Sequence, residues 1–241
     1  MEKNTFLEHL QELRSRLLKS LLVMMACFLG LVYFSNDIYL IISEPLLNFL
    51  PSGSSMIATE VASPFLAPLK LTFFASLLLS MPFLLNQIWG FMAPGMYVNE
   101  KKLSFLVLLS SLFLFYLGIL FTYFLVLPLV FNFFTGSAPE GILIMTDISR
   151  YLDFVLSMMF AFSFAFEIPV FIFLLIWSGT TDSDTLRSKR PYVVIGCFAV
   201  GMLLTPPDVI SQTLLAIPAW LLFELGIVIA DLVVKKEKKD L

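Results

Sequence analysis

The chain has 241 residues, of which 59% are hydrophobic and 14% charged, with a mean hydropathy of +0.93 and a net charge of -3. A soluble domain sits near half apolar and a quarter charged. A soluble fold of this length must also cover its surface with polar groups, so this composition excludes a water-soluble globule and points to lipid as the solvent. Two cysteines, Cys27 and Cys197, lie far apart inside apolar stretches; they read as small packing residues, not a disulfide framework.

In chain order, residues 1–20 read as an amphipathic leader. Thr5 and Glu8 fit a capping box, and Phe6, Leu10, Leu13 and Leu17 recur at helical spacing. The leader carries the acids Glu2, Glu8 and Glu12 and has no small-residue cleavage pattern, so it is expected to be retained. Six apolar stretches follow: Leu17–Phe34, Leu69–Phe91, Leu103–Phe134, Tyr151–Trp177, Tyr192–Thr205 and Val209–Val234. Crossing hydrocarbon takes about 20 helical residues. The third stretch exceeds that and must tilt or protrude. The fifth falls short, and the last two together are expected not to fill an undeformed bilayer.

Punctuation refines these boundaries. Residues 35–64 form a first outer loop, in which Ile38–Leu50, broken at Pro45, reads as a short helix on the membrane surface. Ser63 and Pro64 read as N-cap and first residue of the second helix, and Asp147 and Asp208 as caps of the fourth and sixth. Pro82, Pro128, Pro169 and Pro218 fall inside spans and predict kinks, because lipid offers the backbone no alternative to helix. The expected fold is an all-α integral membrane protein, a single polytopic domain over 1–241 with six transmembrane helices and a basic tail at 235–241.

Charge fixes the expected orientation. Thirteen of the fifteen basic residues fall on alternate segments: the leader, the loop with Lys101 and Lys102, the loop with Arg187, Lys189 and Arg190, and the lysine-rich tail. Only Lys70 and Arg150 lie on the other side. The positive-inside rule then puts both termini in the cytoplasm, in agreement with an even span count. No internal repeat is evident, which disfavours an inverted-repeat transporter.

Catalytic constellations are absent from the sequence. The single histidine, His9, lies in the leader, outside any span. No His/Cys/carboxylate metal cluster, no phosphate-binding GxxxxGK loop and no GxSxG elbow occur, so neither an enzyme nor a metal or other cofactor is expected. The informative residues are ionisable ones near the membrane. Glu167 lies midway along the fourth stretch, where a carboxylate is costly unless neutralised or paired. It reads either as a hydrogen-bonded packing residue or as a polar docking point or relay. Glu224 lies nearer the inner surface and reads as structural. Glu12 is placed to pair with Arg16 at i,i+4, and Glu100 follows Asn99 at a helix start; two such acids on one face also suit a pair of guanidinium groups.

Several ordered motifs resemble the TatC family, the multispanning core of the twin-arginine protein translocase. They are Phe6–Leu17, Ser63–Phe65, Gln87–Pro94, Ser163–Pro169, Lys189–Tyr192 and Leu204–Gln212. Each is weak alone; in order and at family spacing they are specific, and the match spans about residues 5–234. The resemblance implies that Glu12 and Glu100 receive the twin arginines of a signal peptide, with Arg14 and Phe91 in the same patch. It implies further sensitive positions at Pro45, Phe65, Pro82, Asp208 and Gln212. It links Glu167 to polar residues of single-span partners of TatA and TatB type, and it implies self-association in a multi-copy complex driven by the proton-motive force. The loop Tyr97–Lys102 departs from relatives that often carry His before the glutamate and Arg after it. A different class, a proton-coupled small-molecule transporter using Glu167, would require a second buried ionisable residue at similar depth.

Overall fold

A computed structural model describes residues 2–48, 56–92, 101–137, 145–204 and 209–237. The described elements are helices: α1 Glu2–Leu31, a 3-10 turn at Val32–Phe34, α2 Ser35–Leu47, α3 Ser63–Met92, α4 Lys101–Phe121, a π segment at Thr122–Val126, α5 Leu127–Gly136, α6 Ile148–Phe166, α7 Ile168–Trp177, α8 Ser183–Ser188, α9 Arg190–Leu204 and α10 Val209–Glu237. An isolated parallel bridge, Ile57 to Asp147, is the strand-like feature among the described residues. Helix is the structure that satisfies every backbone amide within one segment, which is what an apolar solvent demands.

Among the described residues, five helical stretches are long and apolar enough to cross a bilayer: His9–Leu47, Ser63–Phe91, Phe105–Gly136, Ile148–Trp177 and Val209–Val233. The remaining expected span, α9, has 15 residues, about 22 Å of helix against a hydrocarbon core of about 30 Å. The companion expectation of a short sixth helix does not hold. The apolar part of α10 alone covers 25 residues, because Pro218 leaves the helix unbroken and it runs on to Glu237.

Three other expectations change at helix ends. Helix α1 already covers Glu2, so Thr5 lies inside it and does not start it. The first span does not stop at Phe34. A 3-10 turn carries it directly into α2, which runs two residues past Pro45, so the expected surface helix is continuous with the first span. At α3, the Ala62 carbonyl accepts from the amides of Phe65 and Leu66, and the Ser63 hydroxyl donates back to the Glu60 carbonyl at 2.8 Å. Ser63 therefore fastens the preceding turn and does not cap the helix.

The prolines act unequally. Pro82 sits inside α3 without interrupting it. Pro128 follows the π segment, whose wider turns accommodate a ring that would clash with the carbonyl four residues back. Pro169 separates α6 from α7 at Glu167, since it offers no amide to Ala165; the Glu167 amide turns to the Phe164 carbonyl at 3.1 Å instead.

The chain divides into two compact units. The first comprises Met1–Glu44, Ile57–Leu112 and Asp147–Leu152. In it α1 packs along α3, with Phe28 edge-on to Phe73 at 6.1 Å. Asp147 caps α6 as expected: Oδ1 accepts from the amides of Ser149 and Arg150 at 2.9 and 3.1 Å. Its other oxygen takes the Thr59 amide and hydroxyl at 2.9 and 2.6 Å, tying residues 57–59 to the start of α6. These donors, the Thr59 hydroxyl foremost, hold the Asp147 pKa down at about 2.

The second unit comprises Pro45–Met56, Phe113–Thr146 and Asp153–Leu241. Here backbones approach closely at glycines. A side chain at Gly118 would come within 2.8 Å of the Phe162 carbonyl, and one at Gly226 within 2.9 Å of the Pro169 Cα. Ile172, Phe223 and Ile227 form a core between α7 and α10. Cys27 and Cys197 are both free thiols, half-buried.

Candidate functional site

The leader's acid sits in a defined cluster within the first unit. Glu12 lies on α1, half-buried, one helical turn before Arg16. Arg16 donates from Nε and Nη2 to the same carboxylate oxygen, Oε1, at 2.9 and 2.7 Å. The guanidinium reaches across to α3, where Nη2 also donates to the Gly90 carbonyl at 2.9 Å and Nη1 to Gln87 Oε1 at 3.3 Å. The glycine makes this approach possible: a Cβ there would lie 2.5 Å from Nη1. On the other side of the carboxylate, His9 Nδ1 stands 4.0 Å from Oε2. The His9 ring rests on Phe91, centroids 4.5 Å apart.

The structure thus brings Glu12 and Phe91 together through His9. Arg14, grouped with them by the resemblance, is exposed on another face of α1. The arginine that touches Glu12 is Arg16, and with His9, Gln87 and Gly90 it completes a cluster that sequence reasoning had only in part. The i,i+4 spacing announced the Glu12–Arg16 pair, and Gln87 and Gly90 belong to a quoted motif. The contact across to α3 had no sequence signal. Glu100 and Asp208 lie outside the described residues.

Of the other named positions, Pro45, Glu167 and Gln212 belong to the second unit, and Phe65 and Pro82 to the first. Glu167 occupies the turn between α6 and α7, half-buried, with Oε1 shielded from solvent. Gln212, on α10, donates from Nε2 to the Phe198 carbonyl of α9 at 2.8 Å, and its Cγ packs where Gly201 leaves room. It therefore stitches the short helix α9 to α10. Beside the Glu167 turn runs an apolar groove of about 600 Å³, lined by Phe164, Ile168, Val193, Cys197, Val200 and Leu215 among others. Pro45 is buried, Phe65 is 70% exposed, and Pro82 is exposed.

A second ionic assembly closes the ends of α8, α9 and α10. Arg190 donates from Nε and Nη2 to the two oxygens of Glu224, both at 2.6 Å. Arg187 donates to Asp231 at 2.6 Å, and the Ser183 hydroxyl bonds the same carboxylate. Glu224 is thus a structural partner, as its position suggested.

The family model for "Sec-independent protein translocase protein (TatC)" matches residues 8–218. The chain is 58% identical over 219 residues to the protein of that name from Azotobacter chroococcum, covering 91% of this chain and 86% of the relative. It is 56% identical over 219 residues to the one from Escherichia coli K12, covering 91% and 85%. A crystal structure of the twin-arginine translocase receptor TatC superposes with a TM-score of 0.83 at 32% identity, over 94% of this chain and 99% of that one. A chain with five bilayer-length apolar helices among its described residues, matched along nearly its whole length in sequence and in fold, is a member of the TatC family and a multi-pass membrane component of Sec-independent protein translocation.

Proposed function

We propose that this protein receives twin-arginine signal peptides at the cytoplasmic face of the cytoplasmic membrane and forms the core through which their folded passengers are exported. Both termini lie in the cytoplasm in this reading, which rests on the basic residues of alternate segments. Glu12 and Glu100 receive the two arginines, with Phe91 beside the Glu12 cluster and Arg14 contributing from the neighbouring exposed face of the leader. The observation that carries the assignment is that Glu12 already holds a guanidinium, with two donors 2.7 and 2.9 Å from Oε1, on a half-exposed face of the leader. A site that binds Arg16 in this way has the chemistry to bind another arginine. A planar fork suits a carboxylate better than the point charge of lysine, which supports arginine as the ligand.

Later steps follow the same reading. Single-span partners of TatA and TatB type dock on the membrane-embedded surface near Glu167 and Gln212. Several copies assemble, and the short helix α9 thins the bilayer where cargo crosses. The proton-motive force supplies the energy. Nothing beyond the position of Glu167 favours the small-molecule transporter.

The test is site-specific crosslinking of a twin-arginine precursor to membranes carrying wild type, Glu12→Ala, Glu100→Ala and the double variant, with export measured in parallel. Crosslinking is expected to fall in each single variant and to vanish in the double. Undiminished crosslinking in the double variant would sink the assignment. For the partner step, Glu167→Gln and Glu167→Ala are compared for export and partner assembly. Wild-type behaviour in both makes Glu167 a packing residue.

A further inference from the structure

The resting state of the Glu12 carboxylate is not empty. Arg16 occupies it from within the same helix, and it does so asymmetrically. Both of its donors fall on Oε1, while His9 Nδ1 faces Oε2 from 4.0 Å. Arg16 is held at three points, on Glu12, on the Gly90 carbonyl and on Gln87. Two of these anchors belong to α3 and stay in place when Glu12 lets go. The guanidinium thus has somewhere to remain while the carboxylate takes another partner. The pair is open to water, with side-chain exposures of 25% for Arg16 and 35% for Glu12, so exchange does not require a buried charge to be stranded.

Resting on the signal-peptide reading above, we infer that Arg16 is a tethered competitor for that site: an intramolecular guanidinium that an incoming arginine must displace from Glu12. A bidentate contact needs both carboxylate oxygens, and Oε1 is taken until Arg16 withdraws onto α3. A single lysine or a lone weak cation gains too little from Oε2, beside a like charge, to drive the exchange. The device therefore sets an affinity threshold, and a signal that also engages a second acid clears it.

The test is equilibrium binding of a fluorescent twin-arginine signal peptide to the full-length protein in lipid nanodiscs. Arg16→Gln is expected to tighten binding by about two- to fivefold, the scale of an ion pair at this exposure. Arg16→Lys keeps the charge but cannot reach Glu12, Gln87 and Gly90 together, and is expected to fall between wild type and Arg16→Gln. Lys19→Gln removes the same charge further along α1 and controls for a general field effect. Binding that is unchanged or weaker in Arg16→Gln, or tightened equally by Lys19→Gln, overturns the inference. Adding Glu12→Gln separates the two layers. If Glu12→Gln alone leaves binding intact, the receptor reading itself has failed. If Glu12→Gln abolishes binding while Arg16→Gln does not tighten it, the receptor reading stands and the competitor falls. Thermal midpoints of all variants identify any that misfold, and Arg16→Lys, which preserves the helix-surface charge, then decides the matter alone.

Discussion

Arg16–Glu12 and Arg190–Glu224 are built from the same atoms and closed in different ways. In the second pair, Nε and Nη2 each meet a separate oxygen at 2.6 Å, and the two residues are 34 positions apart on different helices. In the first, both donors converge on one oxygen, the partners sit one turn apart on a single helix, and the surplus reach of the guanidinium goes to α3. A pair that uses every acceptor it has is a fastener. It holds α9, too short to anchor itself by length, against α10. A pair that leaves an acceptor over is chemically unfinished, and that is the property a receptor for cations needs. Geometry around the carboxylate, more than the presence of an ion pair, separates the structural from the functional reading.

The largest effect is expected from breaking the closed pair by charge reversal. Glu224→Arg places two guanidinium groups in contact and leaves α9 tied to α10 mainly through Gln212 and side-chain packing. Cys197, half-buried on α9, reports the outcome. Its maleimide labelling is expected to accelerate about fivefold or more, the upper range for an ideal bidentate pair. The exchange variant Arg190→Glu with Glu224→Arg should restore slow labelling. Glu12→Arg, by contrast, should abolish signal-peptide binding and leave Cys197 as slow as in wild type. Equal acceleration in both would erase the distinction between fastener and receptor.

Asp147 offers a third carboxylate, closed by neutral donors. Thr59 and the amides of Ser149 and Arg150 bind only the ionised form well, which is why its pKa lies at about 2. The sign follows from linkage. A carboxyl whose folded pKa is depressed contributes stability that is complete above the ordinary aspartate pKa of about 4, and loses it as pH falls toward the folded value. Asp147→Asn should lower the thermal midpoint by a few degrees at neutral pH, because an amide nitrogen then faces donors. The gap between wild type and variant should stay constant down to about pH 5 and close between about pH 4 and pH 2. A gap independent of pH would mean that shape, not charge, matters at this cap.

How much of this could be read in advance depends on how local the cause is. The Asp147 cap, the break at Pro169 and the Glu12–Arg16 spacing all arise within a few residues, and the sequence pattern exposes them. The family motifs carried the fold and function because they combine many such local features in order. What escaped reading was relational. Nothing in the leader announces that Arg16 will lie against a glycine 74 residues away, or that Gln212 will reach back to α9. Helix ends failed for a related reason. Pro45 looks like a terminator, yet it lies inside α2, because segments that cannot hydrogen-bond to lipid gain more from continuing than a lost amide costs. The bounds of the sixth apolar stretch were read closely, and only its capacity to cross a bilayer was underrated.

The smallest expected effect tests the open pair at its remote anchor. Gly90→Ala introduces a Cβ 2.5 Å from Arg16 Nη1 and 3.2 Å from Cζ. The obstructed group is the end of a flexible side chain, so the guanidinium gives way while the α3 backbone stays put. Arg16 then loses its bond to the Gly90 carbonyl and keeps the one to Glu12, one turn away on its own helix. Alanine also favours the helix over glycine, so the thermal midpoint should hold or rise slightly. Because Arg16 has lost part of the station on α3 onto which it withdraws, displacing it from Glu12 is harder, and signal-peptide affinity should fall by about twofold at most, opposite in sign to Arg16→Gln. A rise in affinity at unchanged stability would show instead that the α3 contact presses Arg16 onto Glu12, and Arg16 would then have no station on α3 to withdraw to.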